Sequence, residues 1–195
     1  MKVAGNGQGK VLTAPELKRL FSDGFIRDRD CPSGQYAPRN RCLFAICLFT
    51  GCRISEALAL QVTDIKNKTI TFRKSTTKGK LKTRTIDIRS PLKQYLDDYQ
   101  PPVNPYNPYL FPSRLGKALS RSMADKILRT ACQKIGVEGV STHSFRRTAL
   151  TQMHNAGIPL RHIQEISGHN DLGTLQRYLE VSPEQRKQAV SVIGW

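Results

Sequence analysis

The stretch from Cys42 to Cys52, CLFAICLFTGC, constrains the fold more than any other part of this sequence. It carries no charge and nothing that breaks a helix before Gly51. It therefore predicts an apolar helix through residues 41–50 that stops at that glycine. Three of the five cysteines (Cys31, Cys42, Cys47, Cys52 and Cys132) fall in this stretch, and none forms a CxxC pair. They read as small core residues in a reducing compartment rather than as a disulfide framework or a metal site.

The rest of the chain supplies elements to pack around that helix. Residues 1–11 read as a flexible leader. A first helix is predicted at Thr13-Ala-Pro15-Glu16, where Thr13 caps and Glu16 completes a capping box. Residues 27–38 are polar and loop-like, and a short helix after Gly51 places Ile54, Ala57 and Leu58 on one face. Ile70 and Phe72, then Ile86 and Ile88, alternate with polar residues, which predicts two strands joined by a turn at Lys78-Gly79-Lys80. Pro91 opens a helix to about Tyr99, and the five prolines between Gln100 and Pro112 demand an irregular connection. Helices are predicted over 118–135, 143–156, 160–167 and 172–180. A last one follows Ser182, with Pro183 at its first position and Gln185 at its third. The expected fold class is mainly α with a small β-hairpin, in a single domain over 12–195. A length of 195 residues suits that reading.

Charge narrows the function. Lys and Arg number 31 against 15 Asp and Glu, a net charge of +16. Such a surplus repels itself unless a polyanion compensates it, and nucleic acid is the usual polyanion for a globular domain. There is no amphipathic basic helix, lipidation signal or apolar run long enough to span a bilayer, so a membrane partner is not expected. The polar, Gly-rich first residues do not read as a secretory signal, and the expected location is cytoplasmic.

Several basic and nucleophilic residues stand where they can meet a phosphate. Arg53 follows the Gly51 break, at or near a helix N-terminus, with Glu56 three residues on to orient it. His143 and Arg146, three apart, share one helix face. His169 sits in a break after Gly168, and Tyr178 lies nine residues further on. Arg73, Lys74, Lys78, Lys80, Lys82 and Arg84 crowd the hairpin, with no acidic residue among them before Asp87. Each of these, taken singly, is also what a solvated or half-buried surface looks like. The hairpin tip is either mobile or laid against a phosphate backbone.

Order and spacing decide between these readings. The strings Thr50-Gly-Cys-Arg53-Ile-Ser-Glu56, Thr77-Lys78-Gly79-Lys80, Thr142-His143-Ser-Phe-Arg146 and Gly168-His169-Asn-Asp171, followed by Tyr178, resemble the signature boxes of the tyrosine recombinases. This is the phage-integrase family, which includes the Xer resolvases. Leu110-Phe111-Pro112 and the residues after Tyr178 add smaller matches, and the resemblance runs from Leu12 to about Pro183.

The resemblance implies a DNA-breaking and rejoining fold and assigns roles by position. Arg53 and Arg146 clamp the scissile phosphate. Lys78 protonates the departing 5′-oxygen, with Lys80 close enough to compete for that assignment. His143 and His169 donate to the phosphate, and Tyr178 is the nucleophile. The charge of the hairpin, apart from the resemblance, is what makes Arg73, Lys74, Lys80, Lys82 and Arg84 expected DNA contacts. No cofactor and no metal is implied. The partner is double-stranded DNA, engaged as a homo-oligomer (a tetramer), in a prokaryotic or phage setting. The apolar tail from Ala189 to Trp195 is expected to dock on a neighbouring subunit or to pack in cis. The N-terminal clamp domain of many relatives is expected to be absent. Rival readings are a type IB topoisomerase, a catalytically silent DNA-binding regulator and a basic RNA-binding protein.

Overall fold

The computed structural model describes residues 9–25, 36–76, 82–101, 104, 106–176 and 183–193. Its first helix, α1 (Ala14–Arg19), starts at the predicted capping box. The Thr13 N–H donates to the Glu16 carboxylate at 3.0 Å, and the Thr13 hydroxyl accepts from the Glu16 N–H at 3.4 Å. A π-helical turn (Leu20–Gly24) follows. The expected leader is not loose at its end: the Leu12 N–H donates to Thr148 Oγ1 at 2.8 Å, and the Lys10 N–H to the Gly139 carbonyl at 3.1 Å.

The apolar stretch forms α2 (Ala37–Thr50), closed by Gly51 at φ 63°. The helix begins four residues before the predicted start, because Pro38 takes a place in its first turn, where a missing N–H costs nothing. Every residue from Cys42 to Cys47 is at 0% exposure, so the middle of α2 is buried on all sides, while Phe49 near its end is exposed. Phe44 stacks between Phe25 and Phe145, with ring centroids 4.9 and 5.0 Å away. Cys42, Cys47, Cys52 and Cys132 are free and buried, as expected; Cys31 lies outside the described residues.

Beyond Gly51, α3 (Ile54–Leu58) leads into a small antiparallel sheet of β1 (Ile65–Lys66), β2 (Thr69–Phe72) and β3 (Arg84–Asp87). Ile70 and Phe72 point into the core, as their alternation predicts. The register pairs Ile70 with Ile86 and Phe72 with Arg84. The third strand, β1, escapes sequence reading because two residues cannot show an alternation. Its turn also uses Asn67 and Lys68 at φ 50° and 62° with no glycine to announce it. The predicted turn at Lys78-Gly79-Lys80 lies outside the described residues.

α4 (Ser90–Tyr99) packs on α2. Among its described residues the proline-rich connection has no helix of its own, but it is tied down. Leu110 donates its N–H to the Leu60 carbonyl at 2.8 Å, and the Tyr99 hydroxyl donates to the Leu110 carbonyl at 2.8 Å. α5 (Arg121–Lys134) starts after Ser120, whose hydroxyl accepts from the Met123 N–H, so the cap sets a later start than residue 118. α6 (Thr142–Asn155) and α7 (Leu160–Ser167) follow, then α8 (Leu172–Gln176) and α9 (Pro183–Ser191). The class is therefore mainly α with a three-stranded sheet. Among the described residues no helix is long and apolar enough to cross a membrane.

Candidate active site

Two helix C-termini converge on one side chain. Gly51 ends α2 and Ser167 ends α7, and the following Gly168 is left-handed at φ 66°. Arg146, on α6, donates one guanidinium nitrogen to both the Gly51 and the Ser167 carbonyls, each at 2.7 Å. A cation that is only 4% exposed needs such partners, and the partial negative charge at helix C-termini supplies them. Burial, and then the neighbouring Arg53, pull Arg146 down to about 10, which leaves it charged near neutral pH.

The other terminal nitrogen of Arg146 faces the His169 ring, 2.9 Å from Nε2 and 3.2 Å from Nδ1, while Ser167 Oγ lies 2.8 Å from Nδ1. A guanidinium only donates, so the ring nitrogen that meets it must hold a lone pair. Assigning the shorter contact as the bond leaves the proton on Nδ1, directed at Ser167. Burial first, then Arg146 and Arg53, push His169 down to about 3. The ring is neutral over the working pH range of most proteins.

Arg53 caps α3 in extended backbone conformation. Its N–H donates to Glu56 Oε2 at 2.9 Å and its guanidinium to Oε1 at 3.2 Å, so Glu56 does orient it. Glu56 has no exposed side-chain surface. Burial alone would raise its carboxyl, but a hydrogen bond and charge from Arg84, and then Arg53, bring it below the usual range. His143, in the first turn of α6, is exposed and opens on the same side. Its ring is lowered by partial burial, and then by Arg121, Arg146 and Arg53.

Four of the expected site residues thus gather: Arg53, His143, Arg146 and His169. Lys78, Lys80 and Tyr178 lie outside the described residues. The hairpin cations behave differently from the expectation of an unpaired cluster. Arg73 pairs with Asp64 at 2.6 Å and Arg84 with Glu56 at 2.6 Å, both partners coming from outside the hairpin. Only Lys74 and Lys82 of the described set are exposed. Sequence reasoning missed Arg121 beside His143, Ser167 beneath His169 and the inward turn of Arg84. None of these has a spacing that would have revealed it.

Fold and site define a mainly helical domain in which Arg53 and Arg146 concentrate positive charge beside the neutral His169 ring, an arrangement suited to an oxyanion. The chain belongs to the phage integrase family, whose family model matches residues 10–185. It is 30% identical over 190 residues to tyrosine recombinase XerD of Mycobacterium leprae, covering 92% of this chain and 59% of that one. It is 33% identical over 158 residues to a probable integrase/recombinase, YoeC, of Bacillus subtilis, covering 80% of this chain and 85% of that one. Among solved structures, the XerH site-specific recombinase bound to difH substrate before cleavage matches with a TM-score of 0.71 and 26% identity. That match covers 94% of this chain and 54% of XerH. The chain therefore spans between half and two thirds of the length of XerD and of XerH.

Proposed function

We propose that residues 12–195 form the catalytic domain of a site-specific DNA recombinase, which cleaves and rejoins strands through a 3′-phosphotyrosyl intermediate. The observation that carries this reading is the cluster of Arg53, Arg146 and His169 at converging helix ends, in a chain of the phage integrase family.

In this reading the Tyr178 phenol oxygen attacks a DNA phosphorus in line. The new bond joins phosphorus to Tyr178, the bond to the 5′-oxygen breaks, and Lys78 (or Lys80) gives that oxygen its proton. Charge grows on the non-bridging oxygens as phosphorus becomes five-coordinate. Arg53 and Arg146, already fixed by protein acceptors, meet that charge without reorganising. An incoming phosphate competes with His169 for the second nitrogen of Arg146, and the freed ring donates to the same phosphate once its proton moves from Nδ1 to Nε2, Nδ1 then accepting from the Ser167 hydroxyl. His143, held toward its neutral form by partial burial and then by the surrounding arginines, can accept the phenol proton. A 5′-hydroxyl from a second duplex reverses the step and exchanges strands, so the phosphodiester energy is kept.

Double-stranded DNA is the proposed substrate, and XerH was solved on its own DNA substrate. Lys74 and Lys82 are proposed to lie along its backbone, and a homotetramer in the cytoplasm is the proposed assembly. The test is a pooled library of nicked duplexes that trap cleavage by losing the 5′-hydroxyl fragment. Protein–DNA adduct that survives denaturation is expected from the wild-type chain and not from Tyr178→Phe. Adduct formed by the Phe variant would remove Tyr178 from its role. Relaxation of one duplex without exchange between two would favour the topoisomerase reading, and binding without adduct would favour the silent regulator.

A further inference from the structure

Arg84 opens β3, on the strand that leaves the hairpin, yet its guanidinium is turned away from solvent. It forks onto Glu56, 2.6 Å from Oε2 and 3.5 Å from Oε1. One face covers the Phe72 ring at 4.5 Å from the centroid. The other approaches Gly168 so closely that a Cβ there would stand 2.9 Å from Arg84 Nη1. A single side chain therefore touches the sheet, the carboxylate beneath Arg53 and the backbone beside His169.

The distances suggest why this matters. Glu56 lies 3.2 Å from the Arg53 guanidinium and 2.6 Å from that of Arg84. If Arg53 were its only partner, the buried carboxylate would neutralise the cation that has to face a phosphate. With Arg84 taking the closer contact, two positive charges share one negative charge. Arg53 is oriented by Glu56 without being cancelled by it.

We propose that Arg84 is a positioning residue for DNA cleavage, holding Glu56 so that Arg53 is oriented without its charge being offset in full by that carboxylate. This rests on the reading that the chain cleaves DNA. Arg84 acts through Glu56 rather than on the substrate, unlike the DNA-contact role expected of the hairpin cations.

The test compares wild type, Arg84→Gln, Arg84→Lys and the double variant Glu56→Gln/Arg84→Gln in single-turnover cleavage of a nicked duplex that the library identifies. At saturating DNA the Arg84→Gln rate is expected to fall roughly ten- to hundredfold, the scale of a misplaced catalytic group. Arg84→Lys should recover part of it. DNA affinity should stay within about twofold of wild type, and the slope of affinity against salt should be unchanged. The acid limb of the rate–pH profile should move toward neutral in Arg84→Gln, because Glu56 then protonates more readily. That movement should vanish in the double variant, whose residue 56 cannot titrate.

A folded Arg84→Gln protein with the wild-type rate and pH profile would overturn the proposal. So would a salt slope reduced by about one unit, which would make Arg84 a phosphate contact. If Arg84→Gln does not fold, Glu56→Gln and the double variant decide: both slowed to the same rate supports the proposal, while a double variant slower than Glu56→Gln, or a wild-type rate for Glu56→Gln, overturns it. Absence of adduct from wild type would overturn the reading of the site and this inference with it. Adduct from wild type with no effect of any Arg84 change would overturn the inference alone.

Discussion

Arg146 donates to the carbonyl of Gly51 at 2.7 Å, across 95 residues of sequence. Through that one contact a buried cation on α6 is fixed against the end of α2, two residues before Arg53. The same nitrogen reaches Ser167 at 2.7 Å, so three helices are registered on one guanidinium.

Arg146→Lys should therefore separate catalysis from folding. An ammonium keeps the charge but cannot serve two carbonyls and a ring nitrogen in one plane. We expect cleavage to fall by about a hundredfold or more. A carbonyl left unpaired should cost about 1–3 kcal/mol of stability. Urea denaturation and single-turnover adduct formation measure the two effects. A wild-type rate with a large stability loss would show that Arg146 is structural only.

His169 should make the protein acid-sensitive. Its ring is pushed down to about 3 in the folded chain, against about 6.5 for an unperturbed imidazole. Below pH 6.5 the unfolded state thus binds a proton that the folded state does not. Stability contributed by this group is complete above pH 6.5 and is lost as pH falls toward 3, at up to about 1.4 kcal/mol per pH unit. The His169→Gln protein should show a flatter stability–pH curve over that window. Parallel curves for the two proteins would rule out this account.

The left-handed ends of α2 and α7 should respond unequally to a methyl group. At Gly51 an added Cβ meets nothing closer than Ala149 Cβ at 3.8 Å, so Gly51→Ala carries only backbone strain. That strain is about 1 kcal/mol, a fall in Tm of roughly 2–4 °C. Gly168→Ala adds a 2.9 Å approach to Arg84 Nη1. We expect a larger fall in Tm there and a slower cleavage rate, read by thermal melting and adduct formation. Equal effects on both would mean that Arg84 moves aside freely.

Thr148 provides a control away from the chemistry. Its hydroxyl accepts from the Leu12 N–H at 2.8 Å and donates to the Ser144 carbonyl at 2.8 Å, in a buried position. Thr148→Val leaves the Leu12 N–H unpaired and should cost about 1–3 kcal/mol. The cleavage rate of the folded fraction should stay unchanged. A slower rate would place the N-terminal segment in the catalytic machinery.

Local physics explains which features can be read along the chain. A capping box at Thr13 and Glu16, a left-handed stop at Gly51 and the alternation of Ile70 with Phe72 each act within a few residues, so their causes can be read in order along the chain. The boxes around Arg53, His143, Arg146 and His169 were legible through their resemblance to the tyrosine recombinases; spacing alone gave each residue no more than a helix face or a helix end. Where charge is compensated is settled by long-range packing. Whether Arg84 faces solvent or Glu56 depends on how β3 lies against α3, and no spacing along the chain carries that information. Arg146 can be buried because two helix C-termini from distant parts of the sequence meet at its guanidinium. Short-range rules make the helices, while the burial of a charge is settled by which ends converge.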